Sequence, residues 1–300
     1  MTGTKNSGNG ILEQISSSGP LISDGATGTW LQSHGLEPGG CPEEMNATEP
    51  RLIKKMAAEY FEAGSDLVLT ASFGGNRFML KKYGHENRVR EFNLLSAEHV
   101  KSQAPQQGFV VGSVGPTGEF LDPLGNVSEL EMKDAFAEQI TALSEGGADA
   151  ILIETMYSIE ESSLAIKAAK ENTELTIMAT MTFDKGPRGF FTMMGTTPRQ
   201  AAEELVKSGA DIVGANCGNG IETMLEIAKE MRGAASAPIL IHSNAGIPDI
   251  RQGQIVYPET PKFMATYFKY MAGQGIDILG GCCGTTPSHI RALSEVIRSG

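Results

Sequence analysis

One phrase, used four times, limits the fold more than anything else in this chain. Ala63-Gly64-Ser65-Asp66 precedes LVLTASF, and Gly147-Ala148-Asp149 precedes AILIET. Gly209-Ala210-Asp211 precedes IVGANC, and Gly275-Ile276-Asp277 precedes ILGGCC. Each time a helical stretch ends at a glycine suited to the left-handed conformation of a helix C-terminus. A short, unbroken apolar run follows, as expected of a parallel strand covered on both faces. Leu21–Asp24, Phe109–Val114, Leu175–Phe183 and Pro238–Asn244 supply four more such strands. Amphipathic helical stretches lie between them, among them Leu52–Ala63, Glu129–Gly146, Ser162–Glu171, Pro198–Ser208, Ile221–Met231, Pro261–Ala272 and Pro287–Arg298. Strand and helix alternating with no break in composition predict a single-domain α/β fold, the closed (β/α)₈ TIM barrel. An open doubly wound sheet is the alternative, but the turn after the first strand reads Asp24-Gly25-Ala26-Thr27-Gly28-Thr29 rather than GxGxxG.

The 300 residues suit such a barrel, and a formal net charge of -12 argues against nucleic acid or an anionic membrane as partner. No apolar run is long enough to span a bilayer. The polar, Gly-rich opening has no secretory-signal pattern, so residues 1–10 are expected to be a disordered tail, 11–300 the barrel, and the location cytoplasmic. The long Gly- and Pro-containing loop from Leu31 to Asn46 reads as a lid or substrate wall.

In a parallel barrel the chemistry sits at the C-terminal strand ends. Asp24, Thr70, Ser72, Glu154, Cys217, Asn244, Cys282 and Cys283 all fall there. Glu154 and Cys217 directly follow apolar runs, where an arbitrary polar residue is costly to bury. Four cysteines, two of them adjacent, do not make a disulfide framework. Three at one barrel mouth suit zinc, which in catalytic sites takes three protein ligands and keeps one position open. Gly280-Gly281 and Gly284 give the backbone room to turn two adjacent sulfurs toward one ion. Such a site favours alkylation of a substrate thiol, which coordination converts to the nucleophilic thiolate. The plainer readings are a small buried hydrophobe for a cysteine, an ion-paired core residue for Glu154, and a turn-former for Asp24. Cys41, between Gly40 and Pro42, keeps the plain reading, and His242 is assigned to the core or to a supporting position.

The segments DGATGT (24–29), GSDLVLTASFG (64–74), GSVGPTGE (112–119), ILIET (151–155), ANCG (215–218), SNAG (243–246) and GGCCGTTPSHI (280–290) resemble the homocysteine S-methyltransferase family. Within it they are most similar to the homocysteine-binding module of cobalamin-dependent methionine synthase. The resemblance implies zinc on Cys217, Cys282 and Cys283, with homocysteine bound through its sulfur. It implies an amino group held at Asp24 and Glu154, the residues also expected to serve catalysis. The substrate carboxylate would lie at the Ser72-Phe73-Gly74 turn, with Thr70 beside it. Asn216 would orient the neighbouring ligand, and Asn244 would be an oxygen donor near the metal when substrate is absent. The chain departs from the pattern at Ala71, where the module commonly has Asn, and at Thr155, where the betaine-using branch has Tyr. The implied reaction is methyl transfer to L-homocysteine giving L-methionine. From the likeness to methionine synthase the expected donor is methylcobalamin, which, with no DxHxxG corrinoid signature present, would arrive on a separate corrinoid protein. A small sulfonium or ammonium donor (S-methylmethionine, betaine, dimethylsulfoniopropionate), another small thiol as acceptor, and a zinc/thiol redox sensor are the alternatives.

Overall fold

The computed structural model describes residues 10–251 and 254–299. Eight parallel strands form one sheet: β1 (Leu21–Ile22), β2 (Leu67–Leu69), β3 (Phe109–Val114), β4 (Ala150–Met156), β5 (Thr176–Met181), β6 (Ile212–Asn216), β7 (Ile239–Ser243) and β8 (Ile278–Gly281). Neighbours pair in sequence order, β8 pairs β1, and a bridge from Ser23 to Leu67 joins β1 to β2 and closes the barrel. The (β/α)₈ expectation holds, with β1, β5 and β7 trimmed by two or three residues.

The repeated phrase has a repeated job. Gly64, Gly147, Gly209 and Gly275 all take positive φ, between 78° and 107°. That reversal sends the chain from helix to strand, and a side chain would strain it. The aspartate after each one accepts an N–H from the first or second residue of the preceding strand. Asp66 takes that of Ile22, Asp149 of Val110, Asp211 of Ile177 and Asp277 of Ile239, at 2.8–2.9 Å. Each also meets a cation from a neighbouring helix: Arg298, Lys101, Lys170 and Arg232 respectively. The motif is a staple along the N-terminal rim, remote from the mouth.

Alternate strand residues face inward. At the N-terminal end Leu21, Leu67, Phe109, Leu152, Met178, Ile212, Leu240 and Ile278 pack as one apolar cluster. The helix Gly10–Ser18 closes that end, with Ile11 buried in the same cluster. Gly10 therefore belongs to the fold rather than to a tail; residues 1–9 lie outside the described residues. Further up, the same inward parity delivers polar side chains: Ser113 on β3, Glu154 on β4, Thr180 on β5, Asn216 on β6 and His242 on β7, all buried.

Several elements were not evident in the sequence. Helices Arg77–Lys81 and Val89–Lys101 fill the connection after β2. A hairpin at 184–191 and an antiparallel pair of short strands, Asp249–Arg251 with Gln254–Val256, follow β5 and β7. The helix after β4 starts at Ile159, earlier than the periodicity suggests, because the Ser158 hydroxyl accepts the Glu161 N–H. The Leu31–Asn46 stretch is no open loop. It begins inside the helix Thr27–Ser33 and ends in the helix Met45–Thr48. Cys41 is buried with Leu80, Val89 and Phe92.

Candidate active site

The three cysteines reach the mouth by different routes. Asn216 already points into the barrel, so the next residue should point out. Cys217 is turned inward by a left-handed backbone, φ 62°, held by its N–H on the His242 carbonyl at 3.0 Å. Cys282 follows β8 and donates its N–H to the Ser243 carbonyl at 2.7 Å, while the Cys283 carbonyl accepts from Ala245 at 2.9 Å. Gly281 and Gly284 are required: a Cβ on Gly281 would strike Thr285, and one on Gly284 would enter the Tyr257 ring. The Sγ atoms lie within 4.8 Å of one another. Three thiolates at about 2.3 Å from a tetrahedral zinc would be roughly 3.8 Å apart, so the trio fits such an ion with small rotamer adjustment. The Cys282 and Cys283 thiols both donate toward Cys217, which favours the thiolate there and pushes its pKa down. The donor set is soft, preorganised and partly exposed, which suits zinc.

The sulfurs share the lining of a cavity of about 240 Å³ with the buried acids Glu154 and Glu43, and Asp24 lies buried near Glu154 without lining it. Glu154 accepts the Ser113 hydroxyl at 2.5 Å and the Asn216 amide at 3.2 Å. Asp24 accepts the Leu69 N–H at 2.8 Å and the Ser23 hydroxyl at 3.3 Å. Burial raises both: Asp24 to about 8, helped by the nearby Glu154, and Glu154 to about 7. No Lys or Arg lines the cavity. Two carboxyls held together without a cation are a receptor for one.

Asn216 is the joint between the acid and sulfur sides. Its Oδ1 accepts the Thr155 N–H and the Thr180 hydroxyl, both at 2.8 Å, and its amide donates to the Thr155 hydroxyl at 2.7 Å. This holds Thr155 at φ 61°, where the β4–β5 register breaks. Asn216 thus supports Glu154 and precedes Cys217 without itself lining the cavity. Asn244 donates to the Gly218 carbonyl at 3.0 Å, and its Oδ1 is buried with no partner, as is His242 Nε2. Burial keeps His242 neutral, lowering it to about 3.

Thr70, Ser72 and Phe73 line the cavity. The Thr70 and Ser72 hydroxyls are 2.6 Å apart, and Ser72 donates to the Ser113 carbonyl. Gly74 supports the cavity from behind: its N–H is given at 2.6 Å to Glu43, a buried acid the sequence reading did not single out. Glu43 comes from the Leu31–Asn46 stretch and has no local pattern to mark it. Ser113 was legible, since it is a polar residue near the end of an apolar strand, the signal that marks Glu154.

Comparison with known proteins agrees with this geometry. The sequence profile of the family described as homocysteine S-methyltransferase matches residues 21–297. Methionine synthase of Mycobacterium tuberculosis is 30% identical over 297 residues, covering 92% of this chain and 24% of that protein. Methionine synthase of Mycobacterium leprae is 29% identical, with the same coverage. The chain thus spans about a quarter of the length of these relatives. In fold it matches the metallated form of the homocysteine methyltransferase MmuM from Escherichia coli, with a TM-score of 0.78 and 22% identity, over 96% of this chain and 99% of that one. The chain belongs to the homocysteine S-methyltransferase family.

Proposed function

We propose that this enzyme is zinc-dependent and methylates the thiol of L-homocysteine to give L-methionine. The observation that carries the reading is the convergence of Cys217, Cys282 and Cys283 on a cavity that Glu154 also lines, with Asp24 buried near Glu154 and no Lys or Arg in the lining. Zinc held by the three sulfurs would supply the substrate thiol as its thiolate at neutral pH. Asp24 and Glu154 bind the substrate ammonium and orient the sulfur toward the cysteines. The N–H groups of the turn after β2 take the carboxylate. Asn216 fixes Glu154, and Asn244, whose side-chain oxygen is buried without a partner, would be a further oxygen donor for the metal when substrate is absent. Most of the rate gain comes from positioning and from the deprotonated sulfur.

The donor we assign is methylcobalamin on a corrinoid protein. Two features support a large donor. The similarity to methionine synthases is one. The other is an apolar rim: Phe73, Phe120, Leu124, Met193 and Ile247 are exposed on loops after β2, β3, β5 and β7, on the side of the mouth. Exposed apolar groups gathered on one face are the usual mark of a macromolecular contact. A small onium donor has its own support. A cavity of about 540 Å³ beside the mouth is lined by Phe120, Tyr157 and Met194 with Glu119, Glu160 and Glu161, and no basic residue. Among the described residues no helix is long and apolar enough to cross a membrane, and we assign the enzyme to the cytoplasm. Methionine formation from homocysteine, assayed with methylcobalamin, a methyl-loaded corrinoid protein, S-methylmethionine, betaine and dimethylsulfoniopropionate in turn, tests both levels. Turnover with none of them defeats the reaction; turnover with the onium compounds alone defeats the corrinoid donor.

A further inference from the structure

The turn after β2 is held in an unusual way. Four of its five carbonyls from Ala71 to Gly75 are taken from behind. Asn46 donates to the Ala71 carbonyl at 2.8 Å, Gln139 to that of Ser72 at 2.7 Å, and Asn93 to that of Gly75 at 2.9 Å. The Gly115 N–H takes the Phe73 carbonyl at 2.8 Å. The three amides come from three separate elements: Asn46 from Met45–Thr48, Asn93 from Val89–Lys101, Gln139 from Glu129–Glu145. All three are essentially inaccessible to solvent. Gly75 is what lets two of them in, because a Cβ there would lie 2.4 Å from Asn93 Oδ1 and 2.8 Å from Gln139 Nε2.

Among the described residues no acceptor meets the N–H groups of Ala71, Ser72 and Phe73, and all three residues line the cavity. Gly74 is excluded from that set, its N–H being committed to Glu43.

The amides do this at a cost. Asn46 Oδ1, Asn93 Oδ1 and Gln139 Oε1 are all buried without a partner. Flipping an amide would relieve nothing, since its oxygen would then face carbonyl oxygens. Buried acceptors left unmet destabilise a fold, so three around one turn are not explained by stability alone. They are explained if the turn must present its N–H groups in one fixed arrangement, as anion-binding backbone nests do.

We propose that Asn46, Asn93 and Gln139 are positioning residues that set the enzyme's selectivity for thiols bearing an α-carboxylate. They act through the turn 71–75 and touch no substrate themselves. The inference rests on the homocysteine reading of the site.

The test is titration calorimetry on zinc-loaded protein with two ligands, homocysteine and 3-aminopropane-1-thiol, which differ only in the carboxylate. Wild-type protein is expected to favour homocysteine by about tenfold or more, the worth of a charge-assisted hydrogen bond. Gln139→Met removes one donor at nearly constant volume. It should bring that preference to within about threefold, leaving zinc stoichiometry and affinity for the aminothiol unchanged. Asn93→Ala provides the same measurement if Gln139→Met does not fold. A variant that keeps the wild-type ratio, or weakens both ligands alike, overturns the positioning role. Wild-type protein that binds the two thiols equally overturns carboxylate recognition by the turn. Failure of wild type to bind homocysteine at all overturns the functional reading and this proposal with it.

Discussion

The two ends of the barrel are built from the same strands by opposite rules. At the closed end the inward residues are Leu, Ile, Phe and Met, sealed by Ile11. One or two inward positions higher they become Ser113, Glu154, Thr180, Asn216 and His242, equally buried. At the closed end the four repeated aspartates satisfy four strand N–H groups. The mouth keeps two non-glycine residues at positive φ, Thr155 and Cys217, and unpartnered atoms on His242 and Asn244. Strain and unmet polar groups cost stability and gather where a ligand supplies what is missing. Stability is concentrated at one end and chemistry at the other, and the comparison can be broken from either side.

The largest effect is expected at the mouth. Cys217→Ala should abolish zinc binding and lower methyl transfer by roughly 10³-fold or more, since about 4 kcal/mol of thiol activation is lost. The melting temperature of the metal-free protein should barely move. Cys282→Ala and Cys283→Ala should behave alike. Full zinc stoichiometry in all three variants would remove the ligand assignment.

The converse experiment is at the closed end. Leu152→Ala, in the fully buried apolar layer, should cost about 3 kcal/mol of stability by leaving a cavity. Zinc stoichiometry and homocysteine affinity in the folded protein should be unchanged. A Leu152→Ala enzyme that folds but no longer retains zinc would show that the two ends are not separable.

How much of each end was legible follows from the range of its contacts. The closed end is written locally, with Gly, then Asp, then an apolar run, and both glycine and aspartate are where that grammar puts them. The residues reaching the mouth along strands were legible for the same reason: Glu154 interrupts ILIET, and Cys217 and Cys282 end their runs. Glu43, Asn93 and Gln139 were not. Each acts on a turn 18 to 67 residues away, and nothing in its own neighbourhood sets it apart. The inward turn of Cys217 was hidden too, because a positive φ at a non-glycine residue is imposed by Asn216 and His242 rather than by the residue itself. Gly10–Ser18 was missed because nine residues give too little periodicity, so its helical character depends on the apolar surface it covers.

Asp24→Asn makes the trade between the two ends quantitative. The carboxyl is raised from 3.8 to about 8. Between those values the unfolded chain has lost a proton that the folded one keeps, so the substrate-free protein loses stability as pH rises through this window. Asparagine still accepts the Leu69 N–H and can donate to the Ser23 hydroxyl, while removing the cost of ionisation. The variant should be more stable than wild type at pH 8 by about 1 kcal/mol or more, with a flatter pH profile. It should bind homocysteine about tenfold more weakly. Thermal melts across pH 4–9 and ligand titration check the two halves. A less stable variant would mean that Asp24 is a structural acid rather than a receptor for cations.

The smallest expected effect is a count of protons. Below pH 7 the substrate-free protein holds a proton on Asp24 and on Glu154, whose values lie at about 8 and about 7. An ammonium group between them favours their ionised forms, so homocysteine must expel protons from this pair in addition to the one lost by its thiol. 4-Mercaptobutanoic acid has the thiol and the carboxylate but no ammonium. Near pH 6 homocysteine should therefore release about one more proton than this analogue. Toward pH 9 the difference should largely vanish, because both carboxyls are then mostly ionised. Calorimetry in buffers of differing ionisation enthalpy measures both numbers. Equal proton release at pH 6 would place the ammonium elsewhere. A difference that persists unchanged at pH 9 would assign the extra proton to the sulfur side, where the three cysteines rather than the acids would be sensing the amine.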